Sequence, residues 1–360
     1  MFSPFEKIKV EIFGASHADE IGVRLTGIPR GEKVDVKAVQ AFVDSRKASD
    51  NVWSTPRKEP DEVIIKSGII DGVTDGNKIL AVIKNKAQRS SDYSPYRLTP
   101  RPSHADYVAI VKDKENADLN GGGRFSGRMT APICIAGGIV IEILKRNGIE
   151  IGAYVSEVGG VKGRSYNDAE ITMDEIIKAH CENDFALSNT GAMIDKIKEC
   201  AMRGDSVGGK AECIVYGLPV GVGDALFDGL ESKISAAVFA VPAVKAVEFG
   251  LGCGFSGACG SNVNDAFCVV DKKIKTVTNN NGGINGGISN GMLLTVRATL
   301  KPTPSISIPQ KTVNLETMQE TTIEIKGRHD ACIVPRAVAG IKACVALAVY
   351  DAMLKENLLK

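Results

Sequence analysis

Apolar residues recur along the chain in two patterns: short runs rich in β-branched residues, and longer stretches with helical spacing. The short runs predict strands. They are Ile8–Phe13, Val63–Ile69, Ile79–Ile83, Glu150–Val155, Ala211–Tyr216, Phe267–Val270 and Met292–Leu300. Strands and helices do not follow a regular strand-helix-strand order, so the pattern favours an α+β fold over a doubly wound parallel sheet.

The longer stretches predict helices. Val36–Ser45 places its apolar residues on one face, and Asp35 can cap its start. Thr130–Arg146 is apolar nearly all round and stops at Asn147-Gly148, which predicts a buried central helix. The other predicted helices are Met173–His180, Ala192–Arg203, Asp224–Phe239 and Arg336–Lys355.

Nothing in the composition divides the chain. Its 360 residues contain no linker-like segment and no short repeat, so we expect one domain over residues 1–360, or two intimately packed halves.

The 44 Lys and Arg residues balance 43 Asp and Glu, which excludes a dedicated nucleic-acid binder and makes any anion site local. No uninterrupted apolar stretch approaches about 18 residues and Met1 opens no leader, so we expect a cytoplasmic protein without a membrane span.

The nine cysteines are scattered, odd in number and without a C-x-x-C pair. In a cytosolic protein this distribution is typical of buried, reduced thiols. We therefore expect neither a disulfide nor a structural zinc site. The histidines offer no H-x-x-x-H or H-E-x-x-H spacing, so no other metal site is expected.

Three of the four histidines lie in compact polar segments: His17 after Gly14-Ala15-Ser16, His104 after Arg101-Pro102-Ser103, and His329 between Arg328 and Asp330. Histidine titrates near neutral pH, so a reaction that moves protons at pH 7 recruits it readily. Each histidine alone would more often be a hydrogen-bonded structural residue. Their shared context indicates that at least two are functional.

Arginines accumulate beside the same segments. They are Arg46, Arg57, Arg101, Arg124, Arg128, Arg328 and Arg336. Any single one could be solvated or paired with a carboxylate, but together they indicate a pocket for a multiply anionic small molecule. The segment Gly121–Arg128 suits such an anion pocket, because its glycines let backbone amide groups face an anion and a helix is predicted to begin at Thr130. This segment is a candidate phosphate or flavin cradle.

Two glycine-rich segments imitate nucleotide motifs. Gly204–Lys210 has P-loop spacing, but Ala211 lacks the Mg²⁺-binding hydroxyl and the segment follows a helix and precedes a strand, the reverse of a P-loop. Ser126 occupies the last glycine position of G-x-G-x-x-G, so a Rossmann site is not expected. Lys301–Ser305 is either an ordinary strand exit or, beside the Asn- and Gly-rich stretch 279–291, one wall of the anion site.

Together these motifs resemble the chorismate synthase family over essentially the whole chain. The resemblance is carried by Gly14–His17, Arg57–Asp61, Ser67-Gly68 with Gly72-Val73-Thr74, Asp92-Tyr93-Ser94, Arg101–Tyr107, Gly121–Arg128, Asp205–Gly209, Gly282–Gly291, Lys301–Ile306, Gly327–Asp330 and Arg336-Ala337-Val338. It implies a flavin-dependent lyase that converts 5-enolpyruvylshikimate 3-phosphate into chorismate by 1,4-elimination of phosphate. It also implies a layered β-α-β sandwich with a pseudo-repeated core and a homotetramer.

By the same resemblance, His17 would give a proton to the departing phosphate, His104 would protonate the reduced flavin near N1, and Asp330 would help the flavin N5 to accept the ring proton. The residues that would hold the substrate anions are Ser16, Arg46, Arg101, Arg128 and Arg336. Those that would hold reduced FMN are Arg124, Phe125, Ser126, Pro242, Ala243, Gly286, Lys301, Pro302, Thr303, Pro304, Ser305 and Arg328. Some relatives reduce flavin with NADPH, but this chain has no added reductase module, so we expect a separate flavin reductase.

The chain departs from the family pattern at the expected site. The family's Gly-Glu-Ser-His-Gly is Gly14–Ala18 here, and its Arg-Arg-Arg-Pro-Gly is Ser45–Ser49, followed by Val52 where an arginine is frequent. Arg-Ser-Ser-Ala-Arg-Glu-Thr becomes Arg124–Thr130, with Phe125 in place of a hydroxyl, and Asn-Ala becomes Pro242-Ala243. The alternative to the lyase is therefore a degenerate FMN- or anion-binding relative without activity.

Overall fold

Two antiparallel sheets form the outer layers of the protein. A computed structural model describes residues 4–47, 60–85, 96–166, 171–176, 185–325 and 329–359. The four-stranded sheet has the order β1 (Lys9–Gly14), β2 (Glu20–Thr26), β6 (Ile79–Lys84) and β3 (Ile64–Ser67). The five-stranded sheet has the order β10 (Val244–Phe249), β15 (Leu294–Leu300), β9 (Gly209–Tyr216), β7 (Glu150–Val158) and β8 (Val161–Lys162).

Two long helices fill the space between the sheets. Helix α3 (Thr130–Arg146) packs on β2, and helix α7 (Val334–Lys355) packs on β7 and β9. The helices also pack on each other, and a Cβ at Gly137 of α3 would collide with Ala343 of α7, so glycine is needed at this close approach. The sheet-helix-sheet order confirms the expected α+β, layered β-α-β fold.

The remaining elements lie around these layers. The helices are α1 (Val36–Asp44), α2 (Asp106–Asp113), α4 (Thr190–Met202), α5 (Leu230–Val238) and α6 (Gly260–Val263). The short strands pair as β4 (Ile69–Ile70) with β5 (Val73–Thr74), β11 (Phe267–Val270) with β12 (Lys273–Thr276), β13 (Ile284–Asn285) with β14 (Ile288–Ser289), and β16 (Gln310–Asn314) with β17 (Gln319–Ile323).

Most predicted elements are confirmed within a few residues. Helix α3 has the predicted bounds, and the Asp35 side chain accepts the Lys37 N–H at 2.8 Å, as a cap should. Of the predicted helix Met173–His180, residues 173–176 are helical, and the rest lies outside the described residues.

Two predicted boundaries are wrong. The predicted helix Asp224–Phe239 begins only at Leu230, because Gly229 is extended and the residues before it form a short 3₁₀ turn with Leu226 at φ +59°. The predicted strand Val63–Ile69 is divided at Gly68, whose φ of +86° interrupts the extended backbone. Prediction missed α2 and several strands, among them β2, β10, β12, β16 and β17.

The two central helices are long and apolar enough to cross a membrane by length and composition alone: Gly127–Arg146 and Val334–Lys355. Both are mostly buried between the sheets. A core helix of a soluble protein passes the same test, and the packing of these two is that of core helices.

The eight described cysteines are all free. Cys134, Cys200, Cys213, Cys332 and Cys344 are buried, as expected. The expectation of burial is wrong for the other three, since Cys253 and Cys259 are exposed and Cys268 is half-buried. Those three lie in and around the β11 hairpin, which stands away from the helical core. Cys181 lies outside the described residues.

The N-terminal segment is fastened to the core by one carboxylate. Asp351 of α7 is fully buried and accepts backbone N–H groups of Glu6, Lys7 and Ile8 at 2.7–3.1 Å. Asp351→Ala leaves these donors without an acceptor, so we expect the free energy of unfolding to fall by about 2 kcal/mol or more. Urea denaturation measures the change, and Asp195→Ala at an exposed position is the control. An equal effect of both substitutions would contradict this anchoring role.

Candidate functional site

A cavity of about 1030 Å³ lies where the glycine-rich loop, the start of α2 and the end of α5 meet. Eleven of the predicted site residues line it: Arg101, His104, Arg124, Phe125, Ser126, Pro242, Ala243, Lys301, Thr303, Pro304 and Ser305. Apolar side chains of Phe5, Ile12, Ile133 and Leu347 complete much of the wall. An apolar cavity with a few convergent polar groups is typical of a cofactor or substrate site.

Other predicted residues do not line this cavity. Ser16, His17, Arg46, Arg128, Asp330 and Arg336 form a polar cluster beside it. Pro302 follows β15 behind the wall, and Gly286 lies in the turn between β13 and β14, away from the described cavity lining. Arg328, Arg57–Glu59 and Asp92–Ser94 lie outside the described residues, as do Ala48, Ser49 and Val52.

The glycine-rich loop joins the cavity to the cluster. Gly121, Gly122 and Gly123 all have positive φ, between 50° and 83°. A Cβ at Gly121 would lie 2.5 Å from His17 Nε2, and one at Gly122 would lie 3.6 Å from the His104 ring. The loop therefore lies between two histidines, and at Gly121 only glycine leaves room for the His17 ring. Thr130 begins α3 directly after this segment, as predicted.

Three arginines of the cluster surround two carboxylates. Asp61 Oδ2 accepts from Arg46 Nη2 at 2.7 Å, and Asp61 Oδ1 accepts from Arg128 Nη1 at 2.5 Å. Burial alone would raise the pKa of Asp61, but the two guanidinium groups outweigh it and hold that pKa below its usual range. Arg336 Nη1 donates to Asp330 Oδ2 at 2.6 Å.

These ion pairs leave part of each guanidinium group unsatisfied. The buried nitrogens Arg46 Nε, Arg128 Nη2 and Arg336 Nε have no hydrogen-bond partner among the described residues. Burial lowers the pKa of Arg336, and nearby Arg46 adds to this effect while Asp330 opposes it. A buried donor without an acceptor costs free energy, and an anion would remove that cost.

His104 belongs to a second ion-pair group. Its Nδ1 lies 2.7 Å from Asp106 Oδ1, while Arg101 Nε donates to Asp106 Oδ2 at 2.7 Å. Although burial would raise the pKa of Asp106, hydrogen bonds from Arg101 and His104 hold it far below its usual range. The ionised carboxylate accepts the Nδ1 proton, which leaves His104 Nε2 for the cavity.

Two further groups bring charge or polarity to the cavity wall. Burial and neighbouring Arg101 lower the pKa of His329, and its Nε2 has no partner among the described residues. Lys301 donates to the Ser103 carbonyl at 2.5 Å, and burial and Lys245 lower its pKa. Both lysines line the cavity, so this end attracts anions.

The loop Lys301–Ser305 is held from behind by the segment that imitates a P-loop. Ser206 donates its hydroxyl proton to the Thr303 carbonyl at 2.7 Å, and a Cβ at Gly208 would lie 2.5 Å from the Leu300 carbonyl. The segment joins α4 to β9, which confirms the predicted helix-before-strand order. Its glycines and serine support the cavity wall. Lys301–Ser305 is accordingly a wall of the cavity.

Sequence reasoning missed Asp61, Asn85, Asp106 and the cavity role of Lys245. Asp61 and Asp106 lie inside the quoted motifs Arg57–Asp61 and Arg101–Tyr107, so their position was a usable signal. Asn85 had none, because a single asparagine at the end of a strand is common. It accepts from Arg128 Nε at 2.9 Å and donates to the Ala18 carbonyl at 2.6 Å.

Gly121→Ala tests the role of the glycine-rich loop. The new Cβ would meet His17 and Ser16, so we expect any activity that depends on His17 to fall by about 10²-fold. Gly148→Ala is the matched control, since Gly148 also has positive φ (+77°) but no atom within 4 Å of a built Cβ. Steady-state kinetics of both variants measure the effect, and comparable losses in both would mean that backbone strain alone is responsible.

The chain is similar to proteins of one family. The family model described as chorismate synthase matches residues 8–354. The chain is 43% identical over 351 residues to a chorismate synthase of Dehalococcoides mccartyi, covering 98% of this chain and 96% of the relative. A chorismate synthase of Thermococcus kodakarensis is 39% identical over 353 residues, covering 97% of each chain. A crystal structure of chorismate synthase superposes with a TM-score of 0.75 at 22% identity, covering 98% of this chain and 93% of that one.

Proposed function

Because this chain belongs to the chorismate synthase family, we propose that it is a lyase that converts 5-enolpyruvylshikimate 3-phosphate into chorismate and phosphate with bound reduced FMN. The reaction breaks a ring C–H bond and the C–O bond to phosphate, and no net oxidation occurs. It is the last step of the shikimate pathway. The protein therefore has to bind a substrate with one phosphate and two carboxylates, move protons and exclude water.

The observation that carries this proposal is the set of unsatisfied guanidinium nitrogens on Arg46, Arg128 and Arg336. The substrate has one phosphate and two carboxylates, and guanidinium groups bind both anions with paired hydrogen bonds. The three guanidinium groups outnumber the two carboxylates of Asp61 and Asp330. The cluster therefore has net positive charge in a buried place. Arg101 is engaged with Asp106 and Ser305, so it contributes mainly charge and support to the substrate.

His17 is the proton donor for the departing phosphate. It lies directly behind Gly121 and beside the buried Ser16, next to the guanidinium cluster. Phosphate leaves more readily when its oxygen is protonated as the C–O bond breaks. Ser16 adds a hydroxyl that can hold the same phosphate, and Asp330 assists removal of the ring proton.

The residues of the cavity fit reduced FMN. The volume of about 1030 Å³ and the apolar wall suit a large planar ring, and Lys301 and Lys245 suit its phosphate. Thr303 Oγ1 and His329 Nε2 are buried polar atoms without partners among the described residues, so they are suited to polar groups of the ring. When bound, reduced FMN supplies the electron density and the basic site that the elimination needs.

Several residues of this chain would hold FMN in place. Arg124 lies over the Phe125 ring at 4.9 Å and pairs with Asp113, so both side chains are directed by local contacts. Ser126, Pro242, Ala243, Pro304 and Ser305 contribute the remaining surface of the cavity. His104 would give a proton from Nε2 as an imidazolium, and the Asp106 carboxylate beside Nδ1 orients the ring and stabilises that charged form.

We further propose a cytoplasmic homotetramer that receives reduced flavin from a separate reductase, with NADPH acting only as the source of electrons. An apolar hairpin face supports association between copies: Phe267, Val269 and Ile274 of β11 and β12 are 75%, 75% and 70% exposed. Exposed apolar patches of this kind mark interaction surfaces.

The test is an anaerobic assay of chorismate with three flavin supplies. We expect product with chemically reduced FMN, none with oxidised FMN plus NADPH, and product again when a flavin reductase is added to the second mixture. Product from oxidised FMN and NADPH alone would overturn the separate reductase. No product in any mixture, with FMN bound, would favour the inactive relative.

A further inference from the structure

We propose that Asp61 is a positioning residue that fixes two substrate-binding guanidinium groups and, through Arg128 and Asn85, the loop that carries His17. This inference rests on the function proposed above. We call Asp61, Arg46, Arg128 and Asn85 the Asp61 strut. Neither Asp61 nor Asn85 touches the substrate, and both act through other side chains.

The carboxylate is placed between the two arginines. Asp61 Oδ2 meets Arg46 at 2.7 Å and Asp61 Oδ1 meets Arg128 at 2.5 Å, so each oxygen serves one guanidinium group. The side chains of Asp61 and Arg46 are only 2% and 3% exposed. At this burial water cannot replace either partner, and the geometry of both arginines depends on one side chain.

The backbone at Asp61 supports a role beyond packing. Its φ is +45°, a left-handed conformation that non-glycine residues adopt at a cost. The residue follows Pro60, and its own carbonyl accepts from Gln40 Nε2 at 3.1 Å. The surrounding contacts therefore hold the residue in the conformation that aims the carboxylate between the arginines.

Asn85 extends the strut to the catalytic loop. Its Oδ1 accepts from Arg128 Nε at 2.9 Å, and its Nδ2 donates to the Ala18 carbonyl at 2.6 Å. Residues 15–18 carry His17, so one continuous chain of hydrogen bonds runs from Asp61 through Arg128 to that loop. A movement of Arg128 is thereby passed to the position of His17.

The charge of Asp61 also sets the number of donors offered to an anion. Without it, the Arg46 and Arg128 guanidinium groups would repel each other at close range. With it, each arginine keeps one buried nitrogen, Arg46 Nε and Arg128 Nη2, without a partner among the described residues. The carboxylate thus both holds the pair together and limits which N–H groups face the substrate.

The experiment compares Asp61→Asn, Asn85→Ala and the double variant by steady-state kinetics with reduced FMN. Asparagine is nearly isosteric but has only one acceptor oxygen, so one arginine loses its partner. We expect kcat/KM to fall about 10²-fold for Asp61→Asn, with KM raised, and kcat to fall for Asn85→Ala because His17 moves. The double variant should lose less than the product of the two single effects, since both act through Arg128.

Glu32→Gln is the matched control, because Glu32 pairs with Arg146 at 3.0 Å away from the cavity. Thermal unfolding of each variant separates folding from positioning. A purely structural Asp61 would give a less stable variant whose kcat and KM, per folded molecule, equal those of the wild type, and this result would overturn the proposal. Additive effects of the two substitutions would overturn the strut.

Failure of the proposed function can be distinguished from failure of the Asp61 strut. If the wild type forms no chorismate, binding of inorganic phosphate by titration calorimetry replaces kinetics. The strut then predicts at least about tenfold weaker phosphate binding by Asp61→Asn than by Glu32→Gln, because misaligned guanidinium groups lose paired hydrogen bonds. Equal phosphate affinity in the two variants overturns the strut independently of the reaction.

Discussion

Replacing His17 with alanine is expected to lower kcat by about 10²–10⁴-fold, which is the range for loss of a positioned general acid. The imidazole lies behind Gly121 and beside the arginines that we propose bind the substrate, so the departing phosphate would lose its proton donor. KM should change much less, because the arginines remain. Rapid-quench measurement of the phosphate formed in a single turnover separates this chemical step from product release.

Two comparisons make the His17 result interpretable. His180→Ala removes the one histidine outside the recognised motifs and should leave kcat within about twofold, since no step of the proposed reaction uses it. His104→Ala should also cost about 10²–10⁴-fold through loss of its own proton. Losses below tenfold for both His17→Ala and His104→Ala would remove the proton roles from this account.

Replacing Asp106 with asparagine is expected to lower kcat by about 10²-fold or more and to alter the pH profile. Asp106 Oδ1 accepts from both His104 and Arg101, and Oδ2 accepts from the Arg101 backbone and side chain. An amide has one acceptor oxygen and cannot serve all these donors. His104 would lose its fixed orientation and the carboxylate that stabilises its imidazolium form, which weakens it as a positioned proton donor.

The same substitution should change how stability depends on pH. The pKa of Asp106 is depressed in the folded protein by Arg101 and His104, despite burial. A depressed carboxyl pKa contributes stability above the unfolded pKa of about 3.9, and that contribution is lost as pH falls toward the folded pKa. The stability difference between wild type and Asp106→Asn should therefore be largest near neutral pH and shrink below about pH 4. Asp195→Asn, at an exposed pair, should show no such trend.

The core of the fold could be predicted because its signals are local. Thr130–Arg146 is apolar on all sides and ends at Asn147-Gly148, which defines a buried helix without tertiary information. Strand β2 was missed although its signal is also local, since Ile21, Val23 and Leu25 occupy every second position, as in a half-buried strand. Gly22 is required by packing, since a Cβ there would meet the Phe13 ring and the Ala81 carbonyl, contacts that the sequence does not reveal.

The candidate site was predictable in composition but not in arrangement. Histidines and arginines in glycine-rich segments indicated an anion site, and the family resemblance named most of its members. The partner of an arginine could not be predicted, because Asp61 and Arg128 are 67 positions apart and any of many carboxylates would have satisfied the pattern. Asp106 was closer, two residues from His104, and its role depends on the tight turn between them.

The most direct test of the account is the joint stoichiometry of chorismate, phosphate and reduced flavin over many turnovers under anaerobic conditions. We predict equal amounts of chorismate and phosphate, with the reduced FMN undiminished at the end, because the elimination involves no net oxidation. Phosphate released without chorismate, reduced FMN consumed in proportion to product, or bound FMN without any product would contradict the central claim.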